Sequence, residues 1–347
     1  MNFKKALFTY LNYIKFKLLG KKMIMLGVAS GFGDYLWCRN LMYWIRKDIK
    51  YKNHAIILIT TRRWSDFVNH EDKNIFDIEI SIKDPAKVSR SMKNFLHLFH
   101  VDTYVQIQHW KDINDNIVTK KYLKRPEYPP KTFIYKYILD YFSKQLKICT
   151  DKQVLIPLKL YPTTISGGVQ YVVITLGGYA HGSFTKEQII AMVEIISKNT
   201  SFKILLLGEN KDKDLFDDVM NTISPELKKD IINGISKFKI WELPSIVQKS
   251  EFVICPNTSV YHICLLLQKP CVCASANDIR TLDFAAKQNE YVLDDYSIEY
   301  LNSKTDLQYK PNNLVRICDI PFEKYEKAIF TVLEKSRDKC TKKIIGK

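Results

Sequence analysis

Two stretches of this sequence place chemically useful groups where a predicted strand meets a predicted helix. In the first, Asp34 follows the glycines Gly31 and Gly33 directly before a helix predicted to begin at Tyr35. A carboxylate there can act as a general base, or it can cap the helix and stabilise it by about 0.5–2 kcal/mol. The spacing of these residues is compatible with both roles.

The second stretch, residues 251–275, predicts a strand, a tight loop, a helix and another strand. Asn257, Thr258 and Ser259 are typical helix N-cap residues, and apolar residues recur after them at helical spacing. His262 lies in the first turns of that helix, where it either reaches a phosphate or packs. A helix that begins at the carboxyl end of a parallel strand binds anions and nucleotides, although an ordinary capped helix shows the same pattern.

A second polar loop, residues 177–183, follows another predicted strand. Gly178, His181 and Ser183 of this loop, with Glu209 after the next strand, are candidate contacts for a nucleotide diphosphate. We expect both loops to point into a cleft that also receives the carboxylate of the glycine turn. The chemistry this favours is inverting glycosyl transfer, in which a base takes the acceptor proton while the diphosphate departs.

Metal-dependent and nicotinamide-dependent chemistry are less well supported. Asp212 and Asp214 form a D-x-D pair, but they lie in a polar run that starts a predicted helix. The glycine turn is not a dinucleotide fingerprint, because Leu36 stands where a third glycine is required, and it lacks the lysine of a P-loop. We therefore predict no metal site and no cofactor.

The composition favours a globular protein with a polyanionic partner. The chain has 347 residues, a net charge of +16 and a pI near 9.3, which suits nucleic acid, an anionic membrane or a phosphorylated glycolipid. Nucleic acid is the weakest of these, because no zinc-finger or RRM-type signature is present. There is no CxxC pair, and four of the eight cysteines lie in predicted core elements, which favours a reducing compartment. These four are Cys255, Cys264, Cys271 and Cys273.

Residues 1–22 predict a basic amphipathic helix. They contain six lysines and no acidic residue, and their apolar residues form one helical stripe. Such a helix suits the surface of an anionic membrane, or it docks on the body of the protein. The stripe consists of Phe3, Leu7, Tyr10, Leu11, Ile14 and Leu18.

Strands alternate with helices in both halves of the chain, which predicts an α/β fold with mostly parallel sheets. A stretch with prolines and glycines at 157–168 is the predicted linker. It separates a first Rossmann-like domain at 1–160 from a second at 165–320, followed by a C-terminal helix at 321–347. Residues 113–128 are predicted to be surface loop or irregular helix, and 280–287 a helix before a strand at 291–293.

These motifs together resemble the family 9 glycosyltransferases, the ADP-heptose:lipopolysaccharide heptosyltransferases, over nearly the whole chain. The resemblance is carried by Gly33-Asp34, by Asn257 to His262 with Pro270, and by the loops at 178–184 and 207–209. It implies a GT-B fold, in which two Rossmann-like domains face each other across a cleft and the C-terminal helix returns to the first domain. It also implies that Asp34 is the catalytic base.

The resemblance implies transfer of heptose from ADP-heptose to the Kdo or inner-core region of a lipopolysaccharide. The enzyme would act in the cytoplasm, peripherally on the inner face of the inner membrane. Gly33, Arg62 and Arg63 are the candidate acceptor contacts. The sequence departs from the family pattern at Asn257, where the family has aspartate, and at Ser259, where it has glycine. A GT-B transferase for another nucleotide sugar in surface polysaccharide synthesis, or a pyruvyl transferase on the same scaffold, therefore remains an alternative.

Overall fold

A computed structural model describes most of the chain. The described residues are 3–28, 31–83, 87–107, 111–126, 134–149, 155–163, 165, 168–178, 183–274, 298–301 and 317–345. They form two compact units that divide between Ile156 and Pro157, at the first residue of the predicted linker.

The first unit is a parallel sheet of five strands with helices between them. Its strands are β1 (Met23–Gly27), β2 (Ala55–Thr61), β3 (Ile78–Ile82), β4 (His100–Gln106) and β5 (Val118–Lys124). Its helices are α1 (Phe3–Leu18), α2 (Phe32–Lys47), α3 (Ser65–Glu71), α4 (Arg90–His97), α5 (Lys111–Asn114) and α6 (Ile134–Leu146), with a 3-10 turn at Ile49–Tyr51. The spatial order is β3-β2-β1-β4-β5, so the order reverses between β1 and β4.

The edge strand β5 corrects one prediction, since part of the segment 113–128 is a strand and not a loop. β5 pairs in parallel with β4 along its length. Most of its side chains remain exposed or half-exposed, including Lys120 and Lys121. An edge strand with one solvated face and several lysines carries no apolar alternation, so its pairing is decided by the neighbouring strand.

The second unit is a parallel sheet of six strands. Its strands are β6 (Tyr171–Thr175), β7 (Lys203–Gly208), β8 (Ile231–Ile235), β9 (Val253–Pro256), β10 (Cys271–Ala274) and β11 (Ile298–Leu301). Its helices are α7 (Lys186–Asn199), α8 (Lys213–Thr222), α9 (Pro225–Lys228), α10 (Leu243–Lys249), α11 (Ser259–Leu267) and α12 (Phe322–Ile345), with 3-10 turns at Asn210–Asp212, Ile240–Glu242 and Ile317–Asp319. The order β11-β10-β9-β6-β7-β8 reverses between β6 and β9. The helix and strand predicted at 280–287 and 291–293 lie outside the described residues.

Local sequence signals place several of these elements. Thr185 and Gln188 form the predicted capping box, with reciprocal side-chain to backbone hydrogen bonds of 3.0 and 3.2 Å at the start of α7. The strands β1, β2, β6 and β9 are buried along their whole length. This is the pattern expected of strands covered by helices on both faces.

The apolar face of α12 packs on the second unit. Tyr325, Ile329 and Leu333 are buried in one core with residues of β6, β7 and α7. Contact between the first domain and the rest of 321–347 stays a prediction.

The four cysteines of the second unit lie in its core, as predicted. Cys255, Cys264, Cys271 and Cys273 are fully buried. Burial raises the pKa of the Cys255 and Cys264 thiols well above their ordinary value, so both stay protonated and pack as small apolar groups. Among the described helices, none combines the length and the apolar character needed to span a bilayer.

Candidate functional site

Asp34 lies in the first turn of α2, because this helix begins at Phe32 and therefore three residues earlier than predicted. One carboxylate oxygen, Oδ2, accepts a hydrogen bond of 2.9 Å from the Gly31 backbone N–H. The side chain is half-buried. The capping role is thus present. It leaves room for a second role, because an ionised carboxylate accepts about four hydrogen bonds.

A buried ionic network fixes the helix that carries Asp34. Arg39 donates from Nε to both oxygens of Asp72, at 2.9 and 2.8 Å, and from Nη2 to Glu71 at 3.0 Å. Its Nη1 donates to the Ile156 carbonyl at 2.7 Å. Tyr35 also donates to Asp72, and burial raises the Tyr35 pKa well above its ordinary value, so the donor keeps its proton. The sequence analysis missed this network.

Aromatic side chains pack around the same first turn. The ring of Phe32 lies edge-on to Phe67 with centroids 4.6 Å apart, and Tyr35 lies 4.8 Å from Trp64. Trp64 is buried at the end of the turn that follows β2, directly before α3. These contacts limit the freedom of the glycine turn and hold the start of α2 against α3.

Arg62 and Arg63 lie in that turn after β2. Both side chains are exposed, and the Arg62 backbone N–H donates to the Ile82 carbonyl at 2.7 Å. Because β2 pairs in parallel with β1, this turn and Gly33-Asp34 belong to the same carboxyl edge of the first sheet. The three predicted acceptor contacts and the predicted base therefore share one edge of one unit.

Arg125 is a further candidate at this edge that the sequence analysis missed. It is buried, donates from Nη1 to the Ile107 carbonyl at 3.2 Å, and stacks 4.7 Å from the Trp37 ring. Burial is the main cause that raises the pKa of Cys38, the Asp34 charge raises it further, and Arg125 lowers it. Asp34 and Arg125 therefore both lie close to this thiol, beside the point where the strand order reverses.

In the second unit, the helix α11 begins at the corresponding reversal point, between β9 and β6. Asn257 is buried, and its backbone N–H donates to Ala274 at 2.7 Å. Thr258 holds the N-cap position, but its hydroxyl makes no capping hydrogen bond. That hydroxyl oxygen is buried and has no hydrogen-bond partner. A helix that starts with no side-chain cap and beside an unsatisfied hydroxyl is well suited to an anion.

The loops after β6 and β7 meet beside this point. A Cβ atom added to Gly177 would lie 2.7 Å from both the Asp212 Oδ1 and the Ser183 Oγ atoms, so any larger residue would displace one of these side chains. Asp212 is buried and accepts from the Glu209 backbone N–H at 2.8 Å. Its carboxylate thus stabilises the turn that presents Glu209, whose side chain is exposed.

The other candidates on the second unit follow the same edge. Gly178, Ser259 and His262 are half-buried, and the His262 ring packs 5.1 Å from Tyr261. His181 lies outside the described residues. Within the described ranges, no group of three or more His, Cys, Asp and Glu side chains has a geometry that would hold a metal ion. The roles assigned to these residues stay predictions.

Comparison with known proteins identifies similar folds among solved structures. No known family model and no curated protein matches the sequence. The solved structures include a family 9 glycosyl transferase from Veillonella parvula, with a TM-score of 0.65 and 12% identity, covering 90% of this chain and 97% of that one. The ADP-heptose lps heptosyltransferase II of E. coli has a TM-score of 0.63 and 11% identity, and the match covers 91% of this chain and 99% of that one. The E. coli heptosyltransferase WaaC with ADP has a TM-score of 0.62 and 9% identity, and the match covers 90% of this chain and 99% of that one.

These likenesses confirm the predicted resemblance at the level of the fold. The chain has two Rossmann-like α/β units, as predicted, and shares this fold with the glycosyltransferase structures. At 9–12% identity the comparison concerns the fold and not the substrates.

Proposed function

We propose that this protein is an inverting glycosyltransferase that moves a sugar from a nucleotide-diphosphate donor to a hydroxyl group of an anionic glycolipid. The observation that carries the proposal is the uncapped N-terminus of α11, with the unsatisfied hydroxyl of Thr258, at the strand-order reversal of the second sheet. Nucleotides bind at such reversal points in open α/β sheets. The likeness to glycosyltransferase structures supports the same assignment.

In this proposal Asp34 is the general base. Its carboxylate takes the proton of the acceptor hydroxyl as the oxygen attacks the anomeric carbon, and the bond from that carbon to the diphosphate breaks. The hydrogen bond from Gly31 fixes one carboxylate oxygen, and the buried contacts of Arg39 and Tyr35 fix the helix behind it. A positioned base contributes about 10²- to 10⁴-fold to the rate.

The donor is proposed to lie on the second unit. The diphosphate accepts hydrogen bonds from the first-turn amides of α11 and from the Thr258 hydroxyl, while the helix dipole offsets the charge that develops on the leaving group. The Asn257 amide and the loop at Gly178 and Ser183 complete the donor contacts. In this proposal no metal or cofactor takes part, because helix amides supply the stabilisation.

We further propose ADP-heptose as the donor and a Kdo-lipid A inner core as the acceptor, at the cytoplasmic face of the inner membrane. The support is that two of the similar structures are described as heptosyltransferases, one of them with ADP bound. The exposed Arg62 and Arg63 beside Asp34 suit an anionic acceptor. Because Asn257 both donates and accepts hydrogen bonds, another nucleotide sugar is the alternative.

The test is Asp34→Asn with Asp66→Asn as the matched control. Asp66 is an exposed acid in the first turn of α3. The amide introduced by Asp34→Asn keeps an oxygen for the Gly31 N–H, so the variant should fold and bind donor normally. We expect transfer to fall by about 100-fold or more in D34N and to stay unchanged in D66N. Transfer by folded D34N near the wild-type rate would contradict the proposed mechanism.

The donor is tested separately by thermal shift with ADP-heptose and with UDP-, GDP- and CMP-sugars. A ligand present at 100-fold its dissociation constant stabilises the folded protein by about 2.7 kcal/mol. We expect the largest increase in melting temperature with the adenine nucleotide sugar. A larger increase with another base would correct the donor and leave the assignment of Asp34 intact.

A further inference from the structure

The helix α1 has an inner face that is docked on the first unit. Tyr13 is buried, and its hydroxyl both donates to the His100 carbonyl at 3.2 Å and accepts from the His100 backbone N–H at 2.8 Å. The Tyr13 ring also packs 4.7 Å from Phe99. Tyr10, Ile14 and Phe16 pack against the same core. The helix is therefore part of the unit and its orientation is fixed.

The opposite face of α1 is apolar and exposed. Six of the twelve large apolar side chains that are exposed in the described part of the chain lie on α1 or immediately after it. They are Phe3 (78% exposed), Leu7 (47%), Phe8 (68%), Leu11 (54%), Leu18 (83%) and Leu19 (60%). Single exposed apolar residues are ordinary on a protein surface, but five on one helix, with a sixth directly after it, indicate a binding face.

The charged side chains of α1 itself are all positive. Residues 1–22 contain no acidic side chain. Lys4, Lys15 and Lys22 are exposed, and Lys5 lies 3.5 Å from Glu79 at the border of the helix. A face that combines apolar side chains with lysines complements a layer of anionic headgroups over acyl chains. Two copies of the same face would bring the lysines together, which disfavours a second copy as the occupant.

The direction of α1 relates this face to the edge that carries Asp34. Tyr13 contacts His100, the first residue of β4. Eight residues earlier, Lys5 contacts Glu79, whose carboxylate accepts from Thr60 near the end of β2. The helix thus runs antiparallel to the strands, and its N-terminal half lies toward their carboxyl ends.

We propose that the outer face of α1 binds the surface of an anionic lipid bilayer, with the helix lying in the plane of the interface. The apolar side chains enter the boundary between headgroups and acyl chains, and the lysines contact anionic headgroups. At 16 residues the helix is about 24 Å long, and its lysines keep it at the surface. This inference does not depend on glycosyl transfer. If that proposal also holds, the carboxyl edge of the first sheet lies close to a lipid-borne acceptor.

The experiment is sedimentation of the full chain with two kinds of vesicle. One consists of phosphatidylcholine alone, and the other contains about one third phosphatidylglycerol, an anionic lipid. We expect binding to the anionic vesicles, weakened by salt, and little binding to the neutral ones. The variant Leu7→Ser, Phe8→Ser, Leu11→Ser should lower the apparent affinity for anionic vesicles by at least about 10-fold. Lys15→Gln should lower it by about 5-fold, as one interfacial cation does.

The control is Ile49→Ser. Ile49 is 88% exposed and lies outside α1, so the change removes one exposed apolar side chain elsewhere on the surface. We expect its vesicle affinity to equal that of the wild type. Far-UV circular dichroism and melting temperature of the triple variant should also match the wild type, because the inner face is unchanged. Equal vesicle binding by the wild type and the triple variant would overturn the proposal. So would a wild type that does not bind vesicles but forms concentration-dependent dimers through this apolar face.

Discussion

Removal of the Arg39 side chain is the sharpest test of how the helix of Asp34 is held. In Arg39→Met the stem is retained, while the guanidinium that contacts Asp72, Glu71 and the Ile156 carbonyl is lost. Asp72 and Glu71 are each only 1% exposed. The variant therefore removes the Arg39 cation from two buried carboxylates, while Asp72 keeps the hydrogen bond from Tyr35.

The expected loss follows from that burial. Breaking a buried ion pair by removal of one partner costs about 3–5 kcal/mol, since the remaining charge stays out of water without compensation. A domain of ordinary stability has about 5–15 kcal/mol in total, so the variant should fold but unfold at a clearly lower urea concentration.

The control lies on the same helix. Arg46 pairs with Asp77 at 2.6 Å, but both side chains are 25% exposed. Such a pair contributes about 0–1 kcal/mol, so Arg46→Met should shift the urea midpoint far less than Arg39→Met. Equilibrium urea unfolding of both variants and the wild type gives the comparison. Equal losses in the two variants, or a loss at Arg39 below about 1 kcal/mol, would refute the buried-network account.

Two further predictions concern the second unit. Thr258→Val should leave the stability of the fold unchanged or slightly higher, because the buried Thr258 hydroxyl has no partner. The affinity for a nucleotide diphosphate, measured by calorimetry, should fall about 10-fold. The control Thr60→Val removes a hydroxyl that donates to Glu79, so it should lower stability and leave that affinity unchanged. Burial raises the pKa of Tyr171 to about 12, so the folded state keeps a proton that an unfolded tyrosine loses near pH 10. The stability that Tyr171 contributes is therefore fully present below pH 10 and is lost as the pH rises toward 12, and the difference in urea midpoint between wild type and Tyr171→Phe should shrink over that range. A constant difference would contradict the assignment.

The sequence determined the local elements and the edge of each sheet at which the candidate site residues lie. Apolar runs of strand length specified β1, β2 and β6, and the pair Thr185 and Gln188 specified the start of α7. The order of strands and helices required parallel sheets, and parallel sheets bring the groups after each strand to one edge. That is why the positions of Asp34 and Asn257 at these edges could be predicted from spacing.

The tertiary structure decided the rest, because those features depend on partners distant in the chain. The pairing of β5 with β4 overrode a weak local pattern, and Arg125 then reached the edge beside Asp34. Arg39 is held by an acid 33 residues away and a carbonyl 117 residues away, separations at which no periodicity is visible. The sequence also left two interpretations of residues 1–22, a docked helix or a surface-binding one. The fold shows that one face of this helix is packed and the other exposed. A helix presents its side chains in all directions around its axis, so only the residues that pack against it show which face is inward.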